Sequence, residues 1–98
     1  MTTDDILAQV ATERRRQDEM FPGQFLPSGT SPEWEEWQSI LYDMRYLNDS
    51  VGPTWASVLT EEVAEVMVSG GYKDLRAELI QVAAVAVRWI EQLDQGLA

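Results

Sequence analysis

Apolar residues recur at steps of three and four along most of the chain, which is the spacing of amphipathic helices. In the first segment, residues 3–19, these positions are Ile6, Leu7, Val10 and Ala11. Thr3 is the predicted N-cap, because the aspartates that follow it suit the positive end of a helix dipole. The pattern therefore predicts a first helix over residues 3–19.

Proline and glycine mark the loop that follows. Residues 21–32 hold three of the four prolines and two glycines. Ser31 before Pro32 predicts the N-cap and first position of a second helix, which extends to about Asn48. Its apolar positions are Trp34, Trp37, Leu41, Met44 and Leu47.

Two more helices complete the pattern. Thr54 is the predicted cap of a third helix that ends at Gly70 and Gly71, and a fourth runs from roughly Lys73 to Leu93. The short connection predicts that these two helices pack antiparallel. No segment has the alternation of a strand, so residues 1–98 are predicted to form a single all-α domain of four helices.

Composition limits both the core and the partners. A chain of 98 residues with 45% hydrophobic residues makes only a small core, which favours a homodimer or homotetramer. Seventeen acids against seven bases argue against binding to nucleic acid or to an anionic membrane. The same charge would repel a free nucleotide unless a divalent cation came with it.

The absence of two residue types narrows the chemistry further. The sequence has no cysteine and no histidine, which leaves carboxylates as the plausible general bases and disfavours the usual zinc sites. No stretch is long and apolar enough to span a bilayer, and the acidic N-terminus is unlike a signal peptide. The predicted location is cytoplasmic.

Glutamates interrupt the most apolar half of the chain. At about 100° per residue, Glu62 and Glu65 are neighbours one turn apart, and Glu78 and Gln81 have the same relation on the fourth helix. If the two helices are antiparallel, these pairs can face each other. Like charges held close raise one another's pKa or require a cation, and oxygen-only ligands suit Mg²⁺.

Two other interpretations of these acids stay open. The motif E-E-x-x-E on an amphipathic helix is commonly a solvated face. Glu78 lies in a segment whose sequence predicts burial on most sides, where an unpaired carboxylate is costly. Lys73, Arg76 or Arg88 could therefore be its partner.

The sequences EEVAE at 61–65 and ELIQ at 78–81 resemble the motif of the MazG-like all-α nucleoside triphosphate pyrophosphohydrolases, a group that includes dimeric dUTPases. The resemblance covers most of the chain and is closest to the short MazG-like proteins of phages and actinobacteria; the segments that carry it are ERRRQDEMF, TWASVLTEEVAEV and LRAELIQVAAVAVRWIEQL. It implies a four-helix bundle completed by homo-oligomerisation. It also implies magnesium-dependent hydrolysis of a nucleoside triphosphate to the monophosphate and pyrophosphate, in a bacterial or phage-infected cell.

Carried over by position, the resemblance makes Glu62, Glu65 and Glu78 metal ligands and Glu61 an outer acid or candidate base. Gln81 departs from the motif, which has aspartate there. A carboxamide oxygen can still coordinate a metal, but the site has one negative charge fewer. Hydrolysis, more than fold or nucleotide binding, is the property that this change affects.

Cationic and aromatic residues supply candidate substrate contacts. Lys73 and Arg76, at the start of the fourth helix, are placed to contact phosphates. Arg16, in the run Arg14–Arg16, is a weaker candidate, because this run can instead pair with acids of its own helix. Trp37 could stack on a base, although aromatic residues at helical spacing more often belong to a core or an interface.

Three function classes follow from these patterns. The first is a magnesium-dependent nucleotide pyrophosphohydrolase. The second is a catalytically weak relative that binds and sequesters nucleotides. The third is a helical dimerisation module with no ligand, whose acids serve only solubility.

Overall fold

The computed structural model describes residues 1–30 and 33–96. In these two ranges every regular element is helical. The elements are α1 (Thr3–Met20), α2 (Trp34–Tyr46), a π-helical segment (Leu47–Val51), α3 (Trp55–Val68) and α4 (Tyr72–Asp94). The prediction of an all-α chain with four main helices is thus confirmed for the described residues.

Reciprocal caps fix the starts of α1 and α3. The Thr2 hydroxyl accepts the Asp5 backbone N–H at 3.2 Å, and the Asp5 carboxylate accepts the Thr2 N–H at 3.0 Å. The predicted cap at Thr3 is therefore wrong by one residue, because only Thr2 has an acid three positions later to complete the box. Thr54 is confirmed as the cap of α3, where Ser57 is its reciprocal partner.

The second helix differs from the prediction at its end. The predicted cap at Ser31 and Pro32 lies outside the described residues, and α2 begins at Trp34. Beyond Tyr46 the helix widens into the π-helical segment, closed by a hydrogen bond from the Gly52 N–H to the Leu47 carbonyl at 2.9 Å. Gly52 ends it with a φ of 147°, which side chains disfavour. Such segments are frequent at functional sites.

The chain divides into two compact units. The first contains residues 1–28 together with the part of α4 that begins at Val87. Ile6 is the best-buried large side chain here, with 2% of its surface exposed, and Val87 is also buried. The Thr3 hydroxyl donates a hydrogen bond to the Glu91 carboxylate, which links the start of α1 to α4.

The second unit, residues 29–86, contains α2, the π-helical segment, α3 and the first part of α4. Helix α2 packs along α3, and Leu41, Ala64 and Val66 are buried in this unit. Ala64 is completely covered, which fits a position where only a methyl group has room. This unit contains all the glutamates singled out above.

Helix α4 is less covered than its sequence predicts. Val87 is its only buried residue, while Leu79 and Ile80 have 50% and 57% of their surfaces exposed. The prediction of burial on most sides is wrong for the single chain, because the few buried apolar residues of so short a chain cannot cover every apolar face. None of the described helices combines the length and apolarity needed to cross a membrane.

Candidate metal centre

Three carboxylates converge at the C-terminal half of α3 and the start of α4. Each of Glu62, Glu65 and Glu78 offers one oxygen, and these three oxygens all lie within 4.8 Å of one another. Glu62 and Glu65 are one turn apart on α3, and the turn at residues 69–71 returns the chain so that Glu78 reaches them. No other three acids converge in this way within residues 1–30 and 33–96. These three residues are called the glutamate cluster below.

The cluster has less positive charge than it has carboxylates. Arg45 of α2 places its Nη2 atom 3.2 Å from the Glu65 Oε1 atom, and this is the cluster's one ion pair with a described residue. The Oε2 atoms of Glu62 and Glu78 are buried and have no hydrogen-bond partner in the described structure. Buried carboxylate oxygens without partners are costly, so the cluster favours an added cation or proton.

Crowding of the carboxylates raises two pKa values. A hydrogen bond with Glu65 is the main cause that raises the pKa of Glu78 to about 7, followed by burial and by the charges of Glu65, Glu62 and Asp74. Burial is the main cause that raises the pKa of Glu62, and the charges of Glu65 and Glu61 add to it. Protonation relieves the repulsion in the absence of a cation.

The donor set fits a hard divalent cation. It consists of carboxylate oxygens, which Mg²⁺ prefers, and Mg²⁺ completes its octahedron with waters or phosphate oxygens. A cation bound to Glu62, Glu65 and Glu78 would also offset the charge of the two carboxylates that each bury an oxygen without a partner. The residues present therefore fit Mg²⁺.

Glu61 belongs to a separate hydrogen-bond network. Its Oε1 atom accepts from the Asn48 Nδ2 atom at 2.8 Å, and the same amide nitrogen donates to the Ser57 carbonyl at 3.3 Å. The Ser57 hydroxyl donates to the Asn48 Oδ1 atom at 2.5 Å. Each polar atom of the Asn48 amide thus meets a complementary group, and Glu61 is held beside the cluster without being a member of it.

Gln81, the predicted fourth ligand, is exposed on α4, and its side chain makes no hydrogen bond to any residue that the structure describes. Three of the four predicted metal ligands are therefore shown to converge. The fourth is solvent-accessible one turn after Glu78. A neutral, solvated amide at this position adds no charge to the cluster.

Lys73 and Arg76 are exposed at the start of α4 and form no ion pair with the described residues. The interpretation that one of them neutralises Glu78 is therefore wrong for this part of the chain. Arg88 approaches a different acid, Glu91, at 3.7 Å. Since their charges are uncompensated, Lys73 and Arg76 are available to an anionic ligand.

Arg16 is already paired. Its guanidinium group binds Glu13 through two contacts, of 2.6 and 2.8 Å, and Arg14 binds Asp18 at 2.7 Å. The interpretation that this run pairs along its own helix is confirmed for both arginines. They line an open cavity of about 480 Å³ with Phe21, but their charges are largely neutralised there.

Trp37 is partly buried and lines a shallow cavity of about 180 Å³ together with Met67. This volume is below the roughly 300 Å³ at which ligand pockets usually begin. The position agrees with a packing role for Trp37 within residues 29–86. Stacking on a base would need a larger cavity than the single chain offers.

Sequence patterns gave no sign of Arg45 and Asn48. Arg45 is 20 residues from Glu65 along the chain, and Asn48 is 13 residues from Glu61. Neither separation corresponds to a helical repeat, because both contacts depend on the packing of α2 and the π-helical segment against α3. The facing acidic pairs that helical spacing predicts indicated that a cation was needed there, but not which residue supplies it.

No family model, no curated protein and no solved structure matches this chain.

Proposed function

We propose that this chain is a magnesium-dependent nucleotide pyrophosphohydrolase of the MazG-like type, which cleaves a nucleoside triphosphate to the monophosphate and pyrophosphate. The convergence of Glu62, Glu65 and Glu78, with two buried oxygens that have no partner, carries the proposal. A merely solvated acidic face does not bury unpaired carboxylate oxygens. The motif resemblance supports a nucleotide as the substrate.

The cluster and its neighbours have distinct roles in this proposal. Glu62, Glu65 and Glu78 would hold Mg²⁺, which would stabilise negative charge on phosphate oxygens and acidify a water. Glu61 is the candidate general base. The hydrogen bond from Asn48 fixes its Oε1 atom and leaves Oε2 to accept a proton.

The cationic side chains at the start of α4 that have no described acidic partner are the first candidates for substrate contacts. Lys73 and Arg76 would bind phosphate oxygens, since no described acid neutralises them. Arg16 would have to leave Glu13 before it could contribute. Trp37 would stack on a base only if additional residues enlarged and enclosed its shallow cavity.

A second copy of the chain would supply further surface. The exposed Leu79 and Ile80 lie on α4 near the cluster in sequence, and covering them in a homodimer or homotetramer would remove apolar area from water. Light scattering at micromolar concentration is expected to give a multiple of 11.1 kDa. A stable monomer would contradict this part of the proposal.

The reaction would take place in the cytoplasm of a bacterial or phage-infected cell.

Gln81 favours a second candidate, a relative that binds nucleotides with little turnover. Its amide is neutral and exposed where the family's motif has a carboxylate. Metal binding would then survive with reduced affinity, and hydrolysis would suffer most. A ligand-free dimerisation module is the remaining alternative, and it predicts that neither magnesium nor nucleotide raises the melting temperature.

The test is a screen of nucleoside triphosphates with magnesium chloride, measuring released pyrophosphate and the melting temperature in parallel. Pyrophosphate release by the parent, lost in Glu62→Gln and kept in Glu35→Gln, is the expected result. Glu35 is a matched control because it is an exposed glutamate in the first turn of α2. A melting shift without turnover would select the binding relative. No response of either kind would leave the dimerisation module.

A further inference from the structure

The contact between Arg45 and Glu65 is weaker than the ion pair between Arg16 and Glu13. Only the Nη2 atom of Arg45 contacts Glu65, at 3.2 Å from the Oε1 atom. Arg16 donates two shorter hydrogen bonds to Glu13. Single, longer contacts are weaker and less restrictive than two-contact pairs. The Arg45 side chain is also 55% exposed, so it can leave Glu65 and be solvated with little rearrangement.

The acid in this pair is in a different environment. The Glu65 side chain is only 18% exposed and belongs to the glutamate cluster. A guanidinium group can approach it from α2, but it leaves the Oε2 atoms of Glu62 and Glu78 without partners. A divalent cation at the cluster would satisfy more oxygens than Arg45 does and would repel its positive charge.

We propose that Arg45 is the resident counter-ion of the glutamate cluster, and that a divalent cation must displace it from Glu65 in order to bind. This inference rests on the proposed metal site and adds that Arg45 competes with the metal ion for Glu65. Arg45 stabilises the metal-free protein by partly neutralising three carboxylates. It lowers the affinity for magnesium for the same reason, because both cations bind the Glu65 carboxylate.

The experiment measures binding of magnesium chloride alone, by calorimetry, to the full chain and to Arg45→Gln. The variant is expected to bind magnesium about two- to fivefold more tightly, which is the range of one exposed ion pair. Arg14→Gln is the control, since it removes the same charge from an arginine of α1 that is about as exposed as Arg45 and is paired with Asp18. Its affinity should equal that of the parent.

A second variant separates competition at Glu65 from a general change in charge. Arg45→Lys keeps the positive charge, and a single contact can be made by an ammonium group, so its affinity should stay close to that of the parent. Repeating the titrations at raised salt suppresses long-range effects while a direct contact is screened less. The order of affinities, Arg45→Gln above Arg45→Lys and the parent, should persist.

Melting curves in chelator provide a readout that needs no metal. Arg45→Gln is expected to melt lower than Arg14→Gln, because it leaves the cluster without a cation. Clear magnesium binding with equal or weaker affinity in Arg45→Gln would overturn the competition and leave the metal site standing. Absence of magnesium binding by the parent and by Arg45→Gln would overturn both.

Discussion

Glu13 and Glu78 have the same side chain, and their surroundings move its pKa in opposite directions. On α1, hydrogen bonds from Arg16 are the main cause that lowers the pKa of Glu13 to about 2. On α4, the pKa of Glu78 rises to about 7, because its neighbours are carboxylates and part of it is buried. In the first unit, Glu13 has its own arginine as a partner. In the second unit, the three carboxylates of the glutamate cluster have only Arg45 as a described cationic partner.

This difference indicates which of the two regions is expected to bind a ligand. Arg14 and Arg16 of α1 each pair with an acid of their own helix, and both ion pairs are exposed. Pairs of this kind contribute little to stability and need nothing further. The glutamate cluster is strained by its own charges in the absence of a cation, and strongly perturbed carboxylates are a general mark of functional sites.

The largest effect is expected when Glu78 is changed to glutamine, its neutral isostere, which makes the cluster less unlike the paired acids of α1. Glu78→Gln removes one anionic ligand, so magnesium affinity should fall by about tenfold to 100-fold. In chelator the same variant should melt higher than the parent at about pH 8, since like-charge repulsion is gone. Calorimetry and melting curves measure the two effects.

Glu13→Gln is the control for this change. It neutralises an exposed glutamate of α1 whose partner is Arg16, and magnesium affinity should not change. If Glu78→Gln keeps the parent's magnesium affinity, the cluster is not a metal site.

Glu61, next to the cluster in sequence, accepts a hydrogen bond from a neutral donor rather than from a cation. Asn48→Ala removes the amide that bridges Glu61 and Ser57, and Ser57 is buried. The free energy of unfolding should fall by about 2 kcal/mol, as expected for a broken buried network. Urea unfolding measures the change.

Asp49→Ala is matched to Asn48→Ala, since Asp49 is an exposed residue of the same π-helical segment. It should stay within about 0.5 kcal/mol of the parent. A loss no greater in Asn48→Ala than in Asp49→Ala would show that the network does not hold α3 to the π-helical segment.

The two regions are expected to change the free energy of unfolding in different pH ranges. The folded pKa of Glu78, about 7, lies above the ordinary 4.5, so the folded state favours its protonated form. That contribution is fully present below about pH 4.5 and is lost as the pH rises through 7. The pKa of Glu62 is shifted in the same direction. Metal-free protein should therefore lose about 1–2 kcal/mol between pH 5 and pH 8, after allowance for solvent screening.

The contribution of Glu13 to stability depends on pH in the opposite direction. Its folded pKa of about 2 lies below 4.5, so its contribution is present above pH 4.5 and is lost as the pH falls toward 2. Urea unfolding in chelator across the pH range measures both windows. Glu78→Gln should flatten the loss between pH 5 and pH 8. A parent protein that is equally stable at both pH values would contradict the account of the cluster.

The local part of this structure was predictable from the sequence. Apolar spacing predicted the four helices, and the i, i+3 relation of Glu62 and Glu65 follows from helix geometry alone. The short turn at Gly70 and Gly71 was enough to predict that Glu78 approaches them. These features depend on residues that are close in sequence or joined by a tight connection.

The partners of the acids were not predictable in the same way. Arg45 and Asn48 reach Glu65 and Glu61 through the packing of α2 and the π-helical segment on α3, which no local spacing encodes. The expected burial of α4 failed for a related reason. Apolar residues on several faces indicate that something covers the helix, but they do not say whether the cover comes from the same chain.

The smallest expected effect concerns Gln81, where the chain departs from the motif that it resembles. Gln81→Asp adds a fourth carboxylate one turn from Glu78, and because residue 81 is exposed, water screens much of the added charge. Magnesium affinity should rise by about two- to fivefold. In chelator the variant should melt slightly lower than the parent, since it adds like charge, and magnesium should recover more than that loss. Melting curves of parent and variant, each with magnesium and with chelator, measure both effects, and Glu36→Gln on α2 is a distant control. Equal magnesium shifts in parent and Gln81→Asp would show that residue 81 does not face the metal, and the site would then consist of the glutamate cluster alone.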